Sequence, residues 1–197
     1  HRTPSKVFTQ AVDAFPAKYR LGLTATPWRR DGLSMAIFWH LGDVTGEIQK
    51  ADLLEQGRLC QAEAVFIPTG FTPSSDPSES YSKALSELTQ DPGRNRLIAE
   101  TVTRHNGTGI NLILSDRREH CQVLADFLRE QGVQVAVLTG QTPAKKRVRI
   151  IQDLQSGICH YLVATGQLIG EGFDLPEITT LALTTPVKFS GRLIQYA

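Results

Sequence analysis

Apolar residues along this chain change their spacing several times, and each change marks an element. Val7, Phe8, Ala11, Val12 and Phe15 recur three or four apart, which predicts a helix over Ser5 to Phe15 stopped by Pro16. Arg20 to Ala25 reads as a short buried strand ended by Pro27, and Leu33 to Trp39 as an apolar helix closing near Gly42. Val44 to Ile48 reads as a strand, Lys50 to Gln56 as a short helix stopped by Gly57, and Gln61 to Ile67 as a strand bounded by Pro68 and Gly70. FTPSSDPSES, Phe71 to Ser80, is a surface loop by its Pro and Ser content.

Beyond that loop, strand and helix alternate regularly. Asp91-Pro92 offers an N-cap followed by Pro at the first helical position, opening a helix to about His105. NLILS, Asn111 to Ser115, is a buried strand. Arg117 to Gln131 is an amphipathic helix with Cys121, Leu124, Phe127 and Leu128 on one face, stopped at Gly132. Val133 to Leu138 is the next strand. Thr142-Pro143 caps a helix with Val148, Ile151 and Leu154 inward, closed by Gly157. Tyr161 to Ala164 and Thr180 to Thr184 are further strands, and Gly191 to Ala197 begins a helix. Repeated βα units of this length imply an α/β fold, a parallel sheet with helices on both faces.

Composition adds bounds. At 197 residues, 41% apolar and 21% charged, the chain is an ordinary soluble globular protein of one or two domains. No apolar run reaches the length of a membrane span, so no membrane partner is expected. The net charge of +1 is unevenly spread: Pro92 to Ile150 carries ten Lys/Arg against five Asp/Glu. That basic middle suits a phosphate-facing surface, and a solvated helix face gives the same count. Cys60, Cys121 and Cys159 are odd in number and far apart, which argues against a disulfide framework, a zinc site or an iron–sulfur cluster and points to a reducing cytoplasm. His40, His105, His120 and His160 lack metal-ligand spacing and read as surface or packing residues.

Two strand ends carry candidate chemistry. LVATGQLIGEGFDLP, Leu162 to Pro176, runs a strand into Thr165 and then a loop holding Glu171, Gly172 and Asp174, the pattern by which open α/β sheets meet ligands. LGLTATP, Leu21 to Pro27, ends a strand on Thr24 and Thr26. Lys145, Lys146, Arg147 and Arg149 cluster at a helix start, where cations oppose the macrodipole. Trp28-Arg29-Arg30 is either a nucleic-acid clamp or a structural tryptophan at a domain edge.

HR at the start, LGLTATPWRRDG, NLILSDRREHCQVLADFL, LTG with KKRVRIIQDLQSG, LVATGQLIGEGFDLP and GRLIQYA follow one another in this order. Together they resemble a superfamily 2 DExD/H-box (DEAD/DEAH box) helicase of the kind related to restriction-enzyme motor subunits. The resemblance implies a RecA-like fold of the P-loop NTPase type. It places the C-terminal remnant of a first RecA-like domain at residues 1–57 and most of a second, the helicase C-terminal domain, at 58–197. His1 resembles the last letter of the DExH box, and Gln195 the glutamine opening motif VI, both on the catalytic side. Thr24, Ala25 and Thr26 resemble motif III, which couples nucleotide to nucleic acid. Ser115 and Arg117 resemble motif IV near the nucleic-acid path, while Thr139, Gly140 and Thr165 resemble contacts to a tracked strand. Gly172 and Asp174 resemble the nucleotide-facing residues of motif V.

ATP and Mg²⁺ are the cofactors this implies for an intact protein, and DNA the partner polymer. Walker A is missing from the sequence, because GTG at Gly107 to Gly109 precedes its strand instead of following it. The acidic pair of the DExH box and the arginine fingers of motif VI are also missing. The chain is therefore expected to be a piece of a longer ATPase, inactive by itself, with self-association possible through the incomplete first domain. A duplex-DNA translocase that does not unwind, and a catalytically silent binding or scaffold module, are the rival readings.

Overall fold

A computed structural model describes residues 6–24, 34–59, 61–104, 109–166 and 175–187, with side chains from Gln10 onward. His1, Ala25, Thr26, Trp28 to Arg30, Cys60, His105, Gly172, Asp174 and the helix expected over Gly191 to Ala197 with Gln195 lie outside these residues. Internal contacts divide the chain into two units that part between Val65 and Phe66.

In the first unit, α1 (Lys6–Ala14), α2 (Met35–Leu41) and α3 (Lys50–Glu55) form where apolar spacing and glycine stops predict helices. The strands expected there do not form. Residues 20–24, 44–48 and 61–67 run as irregular backbone with no ladder partner among the described residues. Leu21 and Leu23, expected to be buried, are 81% and 86% exposed. An apolar run supplies side chains for a strand, but its N–H and C=O groups need a neighbour before a ladder exists. Ile37 is the one buried side chain among the described residues of this unit.

The second unit holds the sheet. Its elements are α4 (Tyr81–Gln90), α5 (Pro92–Arg104), β1 (Ile110–Ser115), α6 (Arg118–Glu130), β2 (Val135–Leu138), α7 (Ala144–Gln155), β3 (Tyr161–Thr165) and β4 (Ile178–Leu183). The strands lie in the order β2-β3-β1-β4, every pair parallel. Alternation along the strands builds two cores. Ile110, Leu112, Leu114, Leu162 and Ala164 face one way and pack with Ile150 and Leu154 of α7. Ile113, Tyr161 and Val163 face the other way onto Ala99 and Val102 of α5 and Cys121, Leu124 and Leu128 of α6. Because both faces are covered, β1 is buried along its whole length and reads as a continuous apolar run.

Local signals set the helix ends. Asp91 Oδ1 accepts from the Arg94 backbone N–H at 2.6 Å and caps α5, with Pro92 as the first helical residue. Gly132 and Gly157 take φ of +79° and +73° just past α6 and α7, a conformation an L side chain resists. Two details depart from expectation. Thr142 does not cap α7; its hydroxyl accepts from the Thr139 N–H at 2.9 Å while its own N–H donates to the Thr139 carbonyl, closing a tight turn. Val148 is 56% exposed, whereas Ile150 and Leu154 are the buried pair of α7. α4 is not among the elements predicted above, although Tyr81, Ala84, Leu85 and Leu88 stand at helical spacing. It is steadied by the preceding loop, where Ser74 donates through N–H and hydroxyl to the Glu87 carboxylate.

Candidate functional site

Open parallel sheets bind ligands at the carboxyl ends of their strands, where neighbouring strands send their connections to opposite edges. Here β1 leads by α6 to β2 at one edge, and its neighbour β3 leads to β4 at the other. The crevice therefore falls between the ends of β1 and β3, at the registered pair Ser115 and Thr165.

All four strands finish on a hydroxyl at this level. Thr139 lies one residue past the pair Leu138–Ala164, and Thr184 one past Leu114–Leu183. Their exposures divide the row. Thr184 is buried, its hydroxyl donating to the Leu114 carbonyl at 2.7 Å. Ser115 is 1% exposed, with Oγ held by His120 Nδ1 at 2.9 Å and by the Arg117 backbone N–H at 3.1 Å. Its hydroxyl thus faces the interior and not a strand lying on the surface. Thr139 and Thr165 are half-buried, and Gly140 is exposed with open space around the position a Cβ would take. The accessible part of the row belongs to β2 and β3.

Charge converges on the same edge. Helices α6 and α7 both start there, and neither N-cap residue, Arg117 nor Pro143, makes a side-chain cap bond. A helix start carries partial positive charge and inward-pointing N–H groups, which favour an anion. At the start of α6, Arg117 and Arg118 stand beside Asp116 and Glu119, while at α7 Lys145, Lys146 and Arg149 lie exposed with no acidic residue in the first turn. Exposed cations at a helix N-terminus cost about 0.3–1 kcal/mol each, which a bound polyanion would reverse. The Arg117 guanidinium reaches the first turn of α4, Nη2 lying 3.3 Å from Ser82 Oγ.

Behind the edge lies a polar cluster whose role sequence reasoning missed. His120 bridges Ser115 Oγ and Asn95 Oδ1, each at 2.9 Å, and Asn95 Nδ2 donates to the Thr89 carbonyl at the end of α4. Arg94 donates to the Thr184 carbonyl at 2.5 Å. Burial, with the Arg94 charge nearby, pushes the His120 imidazole down to about 4, and burial pushes the Cys121 thiol up to about 11. Arg94-Asn95 at a helix start carried no sequence signal; His120 read only as a surface or packing residue. Cys121 and Cys159 are buried free thiols.

Thr24, the described member of the motif III triplet, belongs to the first unit and is exposed. Among the described residues, no three His, Cys, Asp or Glu side chains group to hold a metal, and no helix is long and apolar enough to cross a membrane.

Residues 93–197, just over half the chain, match the family described as helicase conserved C-terminal domain. The chain belongs to that family. A protein named "Putative helicase 22" from Sulfolobus islandicus filamentous virus (isolate Iceland/Hveragerdi) is 27% identical over 99% of this chain. UvrABC system protein B of Bacillus caldotenax is 34% identical over 44% of it. The chain spans 37% of the viral protein's length and 12% of the Bacillus protein's. Among solved structures, the C-terminal domain of the DEAD-box protein Dbp5 is similar with a TM-score of 0.46 and 19% identity, over 54% of this chain and 62% of that one. The Pyrococcus furiosus Hef helicase domain is similar with a TM-score of 0.45 and 22% identity, over 59% of this chain and 26% of that one. The four-stranded parallel sheet covered on both faces is the architecture of this helicase C-terminal domain.

Proposed function

We propose that this chain serves as the second RecA-like lobe of an ATP-dependent DNA helicase or translocase, gripping the phosphates of one strand along the carboxyl edge of its sheet. The observation that carries the reading is the convergence, at the β1–β3 crevice and the neighbouring β2 end, of Thr139, Gly140 and Thr165 with two helix starts and the cations around them. In this reading Thr165 and Thr139 hydrogen-bond phosphate oxygens, Gly140 lets the backbone approach, and Arg117, Lys145 and Lys146 neutralise charge. ATP and Mg²⁺ are handled with Gly172, Asp174, His1 and Gln195, together with the phosphate-binding loop, acidic box and arginine fingers that this sequence does not contain.

The chain alone is then expected to bind single strands without turning over ATP. Binding to a labelled DNA strand, followed by fluorescence anisotropy, should weaken steeply with salt, because each phosphate neutralised adds about 0.7 to the slope of log K against log salt. Thr165→Ala should weaken binding with the slope nearly kept, and Lys145→Ala/Lys146→Ala should lower the slope. A salt-independent affinity, or tighter binding to the RNA of the same sequence, would count against the DNA-gripping edge.

A further inference from the structure

The cluster behind the edge is a chain of hydrogen bonds whose directions are all determined. Asn95 Nδ2 faces the Thr89 carbonyl, which only accepts, so the amide is oriented with Oδ1 toward His120. Oδ1 also only accepts, so His120 Nε2 carries a hydrogen and donates. The imidazole is neutral, burial and the Arg94 charge both disfavouring the cation. Nδ1 is therefore a lone pair, accepting the hydroxyl hydrogen of Ser115, whose oxygen in turn accepts from the Arg117 backbone N–H. One tautomer satisfies the whole series.

Asn95, His120 and Ser115 are 0%, 2% and 1% exposed, and they join four segments: the end of α4, α5, α6 and the turn leaving β1. Buried polar side chains seldom stabilise a core more than apolar ones of the same volume; what a fully satisfied network adds is a unique geometry. The geometry it adds here is that of residue 117. Its backbone is fixed from inside by Ser115, and its guanidinium lies over Ser82.

We propose that Asn95, His120 and Ser115 form a relay of fixed tautomer that positions Arg117, through its backbone amide, against the phosphates of the bound strand. His120 and Ser115 are positioning residues in this scheme and touch no ligand themselves. The inference rests on the reading that this edge grips a nucleic-acid strand.

The test is the salt dependence of binding to a labelled single-stranded DNA by the full chain, with helix content and melting recorded for each variant. Arg117→Ala should lower the slope by about 0.7, one phosphate contact. Ser115→Ala should lower it equally while leaving Arg117 in the sequence, and Ser115→Ala/Arg117→Ala should lower it no further. His120→Leu, which has no acceptor for Ser115, should behave as Ser115→Ala does, and serves where Ser115→Ala does not fold. A merely structural cluster would lower the melting temperature and leave the slope unchanged, which overturns the relay alone, provided Arg117→Ala still lowers the slope. An unchanged slope in Arg117→Ala overturns the placement of Arg117 on the strand, and the relay with it. On the unmodified protein, imidazole nitrogen NMR should report hydrogen on Nε2 of His120; hydrogen on Nδ1 of a neutral ring also overturns the relay.

Discussion

His120 shows how one buried side chain makes the stability of the second unit depend on pH. Its folded form is neutral, with a pKa near 4 in place of the ordinary 6.5. Between those values the unfolded chain binds a proton that the folded chain does not, so unfolding becomes easier as pH falls. The contribution is fully present above about 6.5 and is lost on the way down to about 4, a change on the order of 3 kcal/mol. Urea titrations from pH 7 to 4.5 should show this decline, and His120→Gln should flatten it; an equally steep decline in that variant would place the effect elsewhere. Sequence reading assigned His120 to surface or packing because a lone histidine on a helix has no partner within reach of local spacing. Its partners Asn95 and Ser115 stand 25 and 5 residues away, and the distant one arrives only when α5 packs against α6.

At the scale of elements, caps and glycine stops were legible because the physics that sets them lies within a few residues. Asp91→Ala removes the bond to the Arg94 N–H and should cost about 0.5–2 kcal/mol, read by thermal or urea unfolding. Gly140 makes the opposite case. A Cβ there meets nothing within 4 Å among the described residues, so no packing there asks for glycine. Gly140→Ala should leave stability unchanged and weaken strand binding several-fold; a variant that binds normally would remove the close approach from the site. The Thr142-Pro143 cap was misread for a related reason. Thr142 is a good N-cap by type, but its hydroxyl turned back to the Thr139 N–H, and Pro143 took the boundary position. α4 carries Tyr81, Ala84, Leu85 and Leu88 at helical spacing, a signal that could have predicted it, and the Ser74–Glu87 bonds add support from the preceding loop.

Over the whole molecule, the same kind of apolar run had two fates. NLILS became the buried interior of a four-stranded sheet, and the described part of the run from Arg20 stayed irregular and exposed. Amide hydrogen exchange should separate them. The central strands β1 and β3 are expected to exchange slowest and residues 20–24 near the rate of an open chain, and comparable protection would mean that the latter has found a ladder.

The βα alternation from Asp91 onward, the two covered faces, the helix stops and, through the ordered motifs, membership of the helicase family could all be read from the chain. These follow from local periodicity and from residue types whose chemistry needs no distant partner. Tertiary structure decided which strands have neighbours, which of the four strand-end hydroxyls turn inward, and that His120 stands between Asn95 and Ser115. A hydrogen bond is satisfied by whatever lies three ångströms away, and for a side chain behind a sheet edge that neighbour is set by packing and not by sequence distance.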